Sequence, residues 1–414
     1  MLIEFRVSNY RSIRDEQVLS LVPSKDKTYD DSHLIETGSK GLPRLVSSAA
    51  IYGPNGAGKS NLIRAISFMR NFVYESAAIV QPGQQLNVQP FLLDKATSME
   101  PSEFEVTFFD GGVRYQYGFS LTAERIHEEW LLVYKTAKPQ QWFRRIYNNN
   151  TKHEEYEFSD KLSGKRKVWQ DSTRPNSLFL STAVHLNSEQ LLPIFDWIVN
   201  KLICFSTGII SPEISIGMLQ NSEFKDDIEK FLVSSDISIT HVTLVPRKQH
   251  RRLIHFNSNI SNIQSEEADV LWPQFHHKSE SGVATFELQD ESGGTQRLFA
   301  LSGLLLNIFK NGQTLVIDEL ETSLHPLLVI HLISMFHNPK INVSGAQLIF
   351  TTHNTSFLDA NVFRRDQIWF IDKDRDQSSV LQPLTDFSPR KGENLESGYL
   401  TGRYGAIPIL RDMQ

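Results

Sequence analysis

Residues 53–60 read Gly-Pro-Asn-Gly-Ala-Gly-Lys-Ser, directly after the apolar stretch Ala49-Ala50-Ile51-Tyr52. The spacing is that of a complete phosphate loop, G-x-x-x-x-G-K-[ST]. Its glycines let the backbone turn tightly enough to aim successive N–H groups at phosphate oxygens. Lys59 is placed to reach β- and γ-phosphates, and Ser60 to offer its hydroxyl to Mg²⁺. Leu62, Ile63, Ile66, Met69 and Val73 recur at helical spacing, so the loop should end on a helix N-terminus whose dipole favours an anion. Nucleotide contacts are expected from Gly53, Pro54, Asn55, Gly56, Ala57, Gly58, Lys59, Ser60 and Asn61.

A phosphate loop by itself does not hydrolyse ATP; it needs a metal-holding acid and a group that orients water. Residues 314–319, Thr-Leu-Val-Ile-Asp-Glu, put both at the end of a short apolar strand. Asp318 is the expected Mg²⁺ partner and Glu319 the expected base or water-positioner. Further on, Gln347-Leu-Ile-Phe delivers Thr351, Thr352 and His353 to what should be the same sheet edge, where α/β sheets place their ligands. His353 is expected to sense the γ-phosphate.

The net charge of -6 argues against a chain held on nucleic acid by bulk charge alone. Cys204 is the one cysteine, which excludes an internal disulfide and a cysteine-cluster metal site. It sits in the apolar run Leu202-Ile203-Cys204-Phe205 and reads as a small buried residue. The first residues, Met-Leu-Ile-Glu-Phe-Arg, are charged at once and lack a signal-peptide core. The longest apolar run, Leu298 to Phe309, is well short of the roughly twenty residues a membrane span needs. A cytoplasmic protein with no membrane partner is expected.

Along the chain, Phe104–Phe109, the turn Asp110-Gly111-Gly112 and Val113–Phe119 predict a hairpin. Leu191, Leu192, Ile194, Phe195, Ile198 and Leu202 predict helix, and residues 236–285 are mixed with a basic strip, Arg247–Arg252. From residue 283 onward the strand–helix alternation of an α/β layer returns. No heptad run is long enough for a coiled-coil arm.

Between the loop and the acidic strand lies Glu291-Ser292-Gly293-Gly294-Thr295-Gln296, followed by a helical stretch. Ser-Gly-Gly-x-Gln before a helix resembles the signature of ATP-binding-cassette (ABC) proteins. Taken in order, the four motifs resemble the ABC-type ATPase heads of the RecF, SMC and OLD group. The opening Phe5-Arg-Val-Ser-Asn-Tyr-Arg-Ser-Ile13 and the segment Asp318-Glu-Leu-Glu-Thr-Ser-Leu-His-Pro326 are similar to motifs of that group. The stretches Arg365–Lys373 and Gly398–Pro408 resemble bacterial AAA-family ATP-binding proteins of abortive-infection type, RloA/AbiL-like.

This resemblance implies an α/β fold: an ABC-type P-loop ATPase head with a β-rich N-terminal part and an inserted, mostly helical lobe. The expected division is 1–136 and 286–414 for the two parts of the head and 137–285 for the lobe. It implies ATP and Mg²⁺ as cofactors, and a homodimer or an assembly of dimers. Ser292, Gly293 and Gly294 of one subunit would close over ATP held by Lys59 of the other. It also implies Gln89 as a further Mg²⁺ contact and Arg11 as a phosphate contact. The activity implied is an ATPase switch over a separate effector, a nuclease or toxin, in anti-phage defence. Two alternatives stay open: a RecF-like DNA-binding repair ATPase gripping phosphates through Arg247–Arg252 and Lys161–Lys167, and an OLD-like nuclease in one chain. For the latter, Asp372-Lys-Asp374-Arg-Asp376 could be a metal pair or simply a charged hairpin turn.

Overall fold

The computed structural model describes residues 1–39, 41–235, 238–257, 260–390 and 392–408, with the backbone alone at 222 and 249–269. Most of the basic strip, from Gln249 to Arg252, therefore has its side chains outside the described residues. The chain forms two compact units. The first is Met1–Ile209, Ile308–Thr322 and Val329–Gln414; the second is Ile210–Asn307 and Ser323–Leu328.

Among the described residues the first unit holds a small antiparallel pair, Leu34–Ser39 with Leu42–Val46, and two large sheets. One runs Leu202–Phe205, Thr314–Ile317, Gln347–Thr351, Ser48–Tyr52, Ile368–Lys373, Ser379–Pro383 in spatial order. Its first five strands are parallel, and the last closes an antiparallel hairpin. Every residue of Thr314–Ile317, Gln347–Thr351 and Ser48–Tyr52 is buried. That is why Ala49–Tyr52, Leu315–Ile317 and Leu348–Phe350 read as apolar runs: a parallel sheet is covered on both faces.

The other sheet is antiparallel and runs His153–Phe158, Gln140–Asn148, Ile126–Tyr134, Val113–Leu121, Ser102–Asp110, Leu2–Ser8, Gln17–Ser20. Gly111 and Gly112 take left-handed φ of 55° and 80°, as a two-residue hairpin turn requires. Phe104, Val106 and Phe108 point into a shared core with Leu62, Ile66, Met69 and Val73 of the helix Lys59–Ala78. The phosphate-loop helix is thus locked by the same apolar cluster that holds both sheets.

The helical pattern at 191–202 closes onto this core as well, through Leu191, Ile194, Trp197 and Ile198. Residues 137–209 accordingly pack with the first unit, whose compact boundary with the second falls at 209/210, 307/308, 322/323 and 328/329. Hydrophobic periodicity marks which face is buried but not which core buries it. The second unit contains helices Glu213–Leu219 and Ser222–Ser234, the long strands Ile239–Asn257 and Ile260–Ser279 with Gly282–Glu287, and most of the helix Gly293–Asn311. The inserted part thus carries a three-stranded sheet beside its helices. Ser215 Oγ donates to Phe299 O at 2.6 Å, and a side chain at Gly303 would collide with Ser215, so glycine lets these helices approach. No helix among the described residues is long and apolar enough to cross a membrane.

Two of the polar clusters buried in the first unit involve residues 24–33. Arg364 binds Asp366 through two hydrogen bonds of 2.9 Å, reaches Asp30 at 2.7 Å and donates to the carbonyls of Asp26 and Thr28, fixing the polar segment 24–30. Nearby, His33 and His337 stack with ring centres 3.7 Å apart. His33 Nδ1 lies 2.8 Å from Gln367 Oε1, and His337 Nε2 lies 2.8 Å from Ser48 Oγ. Burial holds both imidazoles below their ordinary pKa, His337 well below, with Arg364 adding to the effect on His33 and His33 adding to that on His337. The unfolded chain therefore binds protons that the folded chain refuses as pH falls through about 6.5. Thermal stability is expected to drop between pH 7 and 5, and the slope to flatten in a His33→Gln/His337→Gln double variant. Melting curves across that range check this; a rise on acidification would contradict it.

Candidate functional site

The strand Ser48–Tyr52 runs into the loop 53–60 and then the helix Lys59–Ala78. Gly56 and Gly58 have φ of 79° and 114°. A side chain at Gly58 would overlap Ser379 Oγ and crowd Ser12 Oγ, whereas Gly56 faces open space. The loop is braced from behind and open in front. The brace is explicit: Ser379 Oγ donates to Ala57 O at 2.6 Å and lies 2.8 Å from Ser12 Oγ, and Asn61 Nδ2 donates to Ser12 Oγ at 2.8 Å. The serine that closes the N-terminal Ser-Asn-Tyr-Arg-Ser motif thus acts on the loop. Its asparagine, Asn9, donates to Thr97 O at 2.6 Å and accepts from Phe91 N at 2.9 Å, tying down the segment 91–101.

Lys59 is only 5% exposed, and its Nζ donates to Gly53 O at 2.7 Å and Pro54 O at 3.2 Å. Burial lowers its pKa to about 8, against the opposing pull of Asp318, Glu319 and Glu321. The ammonium is thus held inside the loop, near three carboxylates, where a bound phosphate would favour its charged form further.

Asp318 and Glu319 end the strand Thr314–Ile317, next to the strand Gln347–Thr351. Thr351 Oγ1 donates to Asp318 Oδ1 at 2.6 Å and accepts from Glu319 N at 2.8 Å. Asp318 is buried and fixed, and Glu319 is exposed with a left-handed φ of 49°. Such a conformation in a non-glycine residue persists only where its surroundings hold it, and it concentrates at functional positions. His353 is exposed two residues beyond Thr351. Burial of the ring, then the Lys59 charge, lowers its pKa, with the three carboxylates opposing.

A cavity of about 210 Å³ is lined by Pro54, Asn55, Gly56 and Gly58 of the loop with Lys59, Ser60, Asn61, Arg64, Glu319 and His353, while Gly53 and Ala57 do not line it. Residues from three separate stretches of sequence therefore meet in one place. The donor set around it, a serine hydroxyl and carboxylate oxygens, suits a hard cation such as Mg²⁺, with Ser60 and Asp318 as the residues to hold it. Arg11 and Gln89 do not line this cavity. They line a neighbouring groove of about 440 Å³ with Ser12, Phe91 and Lys373, and Asn61 is common to both. Arg11 N donates to Gln89 O at 2.8 Å, while the Arg11 side chain reaches Tyr10 Oη at 3.1 Å.

In the second unit, Ser292, Gly293 and Gly294 sit at the start of the helix Gly293–Asn311. Ser292 Oγ accepts from Thr295 N at 3.1 Å, in the manner of an N-cap, and Ser292 and Gly293 are exposed. The acidic run at 372–376 forms a hairpin turn: Asp374 Oδ1 accepts from Asp376 N at 2.9 Å and Ser378 N at 2.8 Å, and Arg14 pairs with Asp376 at 2.7 Å.

Arg64, Glu321 and Ser379 escaped the sequence reading. Arg64 follows Lys59 on the exposed side of the same helix and could have been found by helical spacing. Glu321 lies inside the quoted acidic segment. Ser379 carries no local signal, because its partner Ala57 is over three hundred residues away. Thr351→Val keeps the shape but removes a buried hydroxyl that serves two groups. It is expected to cost roughly 1–3 kcal/mol of stability in urea unfolding and to weaken Mg²⁺-dependent nucleotide binding. Thr351→Ser should retain most of both.

The chain matches, over residues 48–192 and 210–359, the model of a family described as "AAA domain, putative AbiEii toxin, Type IV TA system". Among solved structures it is similar to an SMC head bound to the C-winged helix domain of ScpA, with 15% identity and a TM-score of 0.45 over 92% of this chain and 96% of that one. It is also similar to the SMC head domain from Thermotoga maritima, with 13% identity and a TM-score of 0.40 over 92% of this chain and 98% of that one. A comparison with curated proteins gives no match.

Proposed function

This chain belongs to that AAA-domain family, and from this premise we propose that it is an ATP-hydrolysing switch of abortive-infection type, RloA/AbiL-like. In this reading it closes as a dimer around ATP and controls a separate effector, a nuclease or toxin. The observation that carries the reading is the convergence of Lys59, Ser60, Glu319 and His353 on one cavity, with Asp318 fixed beside it by Thr351.

When bound, Mg²⁺–ATP supplies the transferable phosphoryl group and the metal charge that offsets its oxygens. The chain does the rest. Loop N–H groups and the N-terminus of the helix Lys59–Ala78 cradle phosphate oxygens. Lys59 exchanges its carbonyl partners for phosphate. Ser60 and Asp318 hold the metal. Glu319 orients a water and takes its proton at the carboxylate. His353 contacts the γ-phosphate and registers its loss. Ser292, Gly293 and Gly294 of a second copy cover the phosphate and exclude bulk water, which strengthens every polar contact inside.

The family description supports the defence assignment through its toxin–antitoxin wording. The DNA-repair reading has less to stand on, since Lys167 pairs with Asp171 at 2.9 Å and Arg166 donates to Ser159 O at 3.0 Å. The single-chain nuclease reading is weakened by the use of Asp374 as a turn former.

Lys59→Ala is expected to abolish detectable ATP binding in calorimetry. Glu319→Gln is expected to bind ATP while turnover falls about 10²–10³-fold, and to accumulate as an ATP-dependent dimer in light scattering. Unimpaired ATP binding by Lys59→Ala would refute the reading.

A further inference from the structure

Glu321 has no role in the reading above, yet its carboxylate bonds directly to the switch residue. It lies on the loop that follows Asp318 and Glu319. Its Oε1 accepts two hydrogen bonds, from Thr352 Oγ1 at 2.8 Å and from the backbone N–H of His353 at 2.7 Å. Thr352 is buried, and its Oγ1 accepts in turn from Asn354 N at 3.0 Å. One carboxylate oxygen thus holds both the side chain before the histidine and the backbone of the histidine itself.

The other oxygen is just as informative. Oε2 is buried and finds no hydrogen-bond partner among the described residues. Buried polar atoms are ordinarily paired, so an unpaired oxygen beside the switch calls for an explanation. Violations of this kind concentrate at functional sites. Tyr52, the last residue before the phosphate loop, is fully buried with its Oη likewise unpaired among the described residues, and Glu321 is the main charge acting on it.

Thr351 and Glu321 therefore divide the work. Thr351 stitches the strand end to Asp318 and Glu319, and Glu321 stitches the next two residues to the same loop. His353 cannot move without breaking the second stitch, since its own N–H is part of it.

We propose that Glu321 is the positioning residue of the γ-phosphate switch, clamping the Thr352–His353 turn so that the imidazole faces the phosphate cavity. The proposal rests on the ATPase reading for its catalytic consequence, but not for the clamp itself. Glu321 acts through His353 and does not touch substrate. Because Oε1 only accepts, glutamine can replace it with its own amide oxygen, whereas alanine cannot.

The test uses the full chain with Glu321→Ala, Glu321→Gln, His353→Ala and the Glu321→Ala/His353→Ala double variant. Two readouts are taken: backbone amide hydrogen exchange at His353 without nucleotide, and kcat and KM for Mg²⁺–ATP hydrolysis. Glu321→Ala is expected to speed exchange at the His353 amide about tenfold, the equivalent of one lost hydrogen bond. It should lower kcat about tenfold with KM within about twofold. Glu321→Gln should stay within about threefold of the unmodified chain in both readouts, and so keeps the test valid if the alanine variant does not fold. The double variant should be no slower than His353→Ala, as expected when one residue acts through the other.

The clamp is overturned if Glu321→Gln loses turnover as fully as Glu319→Gln, which would make the charge itself catalytic. It is overturned also if the Glu321 and His353 effects multiply, or if His353 exchange is unchanged in Glu321→Ala. Should the unmodified chain hydrolyse no ATP, the functional reading fails alone, and amide protection lost in the alanine variant but kept in the glutamine variant still decides for the clamp.

Discussion

Ile51 lies opposite Thr351 on one side and Trp369 on the other, and Phe350 lies opposite Ile317 one strand further out. This register sets where the phosphate loop, the acidic pair and the switch histidine emerge relative to one another. A slip by one residue would displace a strand end by about 3.3 Å and turn every side chain to the opposite face. Asp318 would then lose Thr351, and His353 would leave the cavity. The register is secured by burial rather than by polar contacts. Ser48–Tyr52 is covered on both faces, so any slip would exchange one fully packed set of side chains for another that does not fit.

On that frame the site is built around a buried cation. Lys59 is packed into its own loop, and Asp318, Glu319 and Glu321 supply the negative potential that keeps it charged against burial. The carboxylates are held in different ways. Asp318 is buried and hydrogen-bonded, so it cannot reorganise. Glu319 is exposed, in a left-handed conformation fixed by Thr351 through its N–H. A rigid acid suits a metal, which needs fixed geometry. A solvent-facing acid suits a base, which must reach a water and release a proton. One threonine hydroxyl enforces both states.

The parts legible from sequence are those whose geometry is set within a few residues. The loop 53–60, the strand end at Asp318-Glu319 and the strand end at Thr351–His353 each carry their own spacing, and the parallel sheet brings such ends to one edge. Arg11 and Gln89 illustrate the opposite case. Their positions depend on left-handed turns at Asn9 and Arg11 and on a backbone bond between the two segments. Those features place them along the adjoining groove. The packing of 137–209 is hard to read for a related reason. Leu191, Ile194 and Ile198 announce a buried helical face, but only tertiary packing decides that this face closes over the phosphate-loop helix. Ser379 is the extreme instance: it supports the loop from behind with no trace in local pattern.

Exposure of Glu319 and His353 bears on how such a site would be controlled. A base left in water is solvated, and its pull on an attacking water is weak; the same carboxylate in a closed, dry cavity acts far more strongly. In the proposed dimer the covering surface is the start of the helix Gly293–Asn311, where Ser292 and Gly293 are exposed and a nineteen-residue helix ends its positive dipole. In that proposal its ligand is the γ-phosphate of a nucleotide bound by another copy. Closure would then depend on the γ-phosphate, and hydrolysis on closure. Each would remove the condition for the other once the phosphate leaves. A chain built this way is better suited to reporting nucleotide state than to fast turnover, because its chemistry dismantles the surface that makes the chemistry possible.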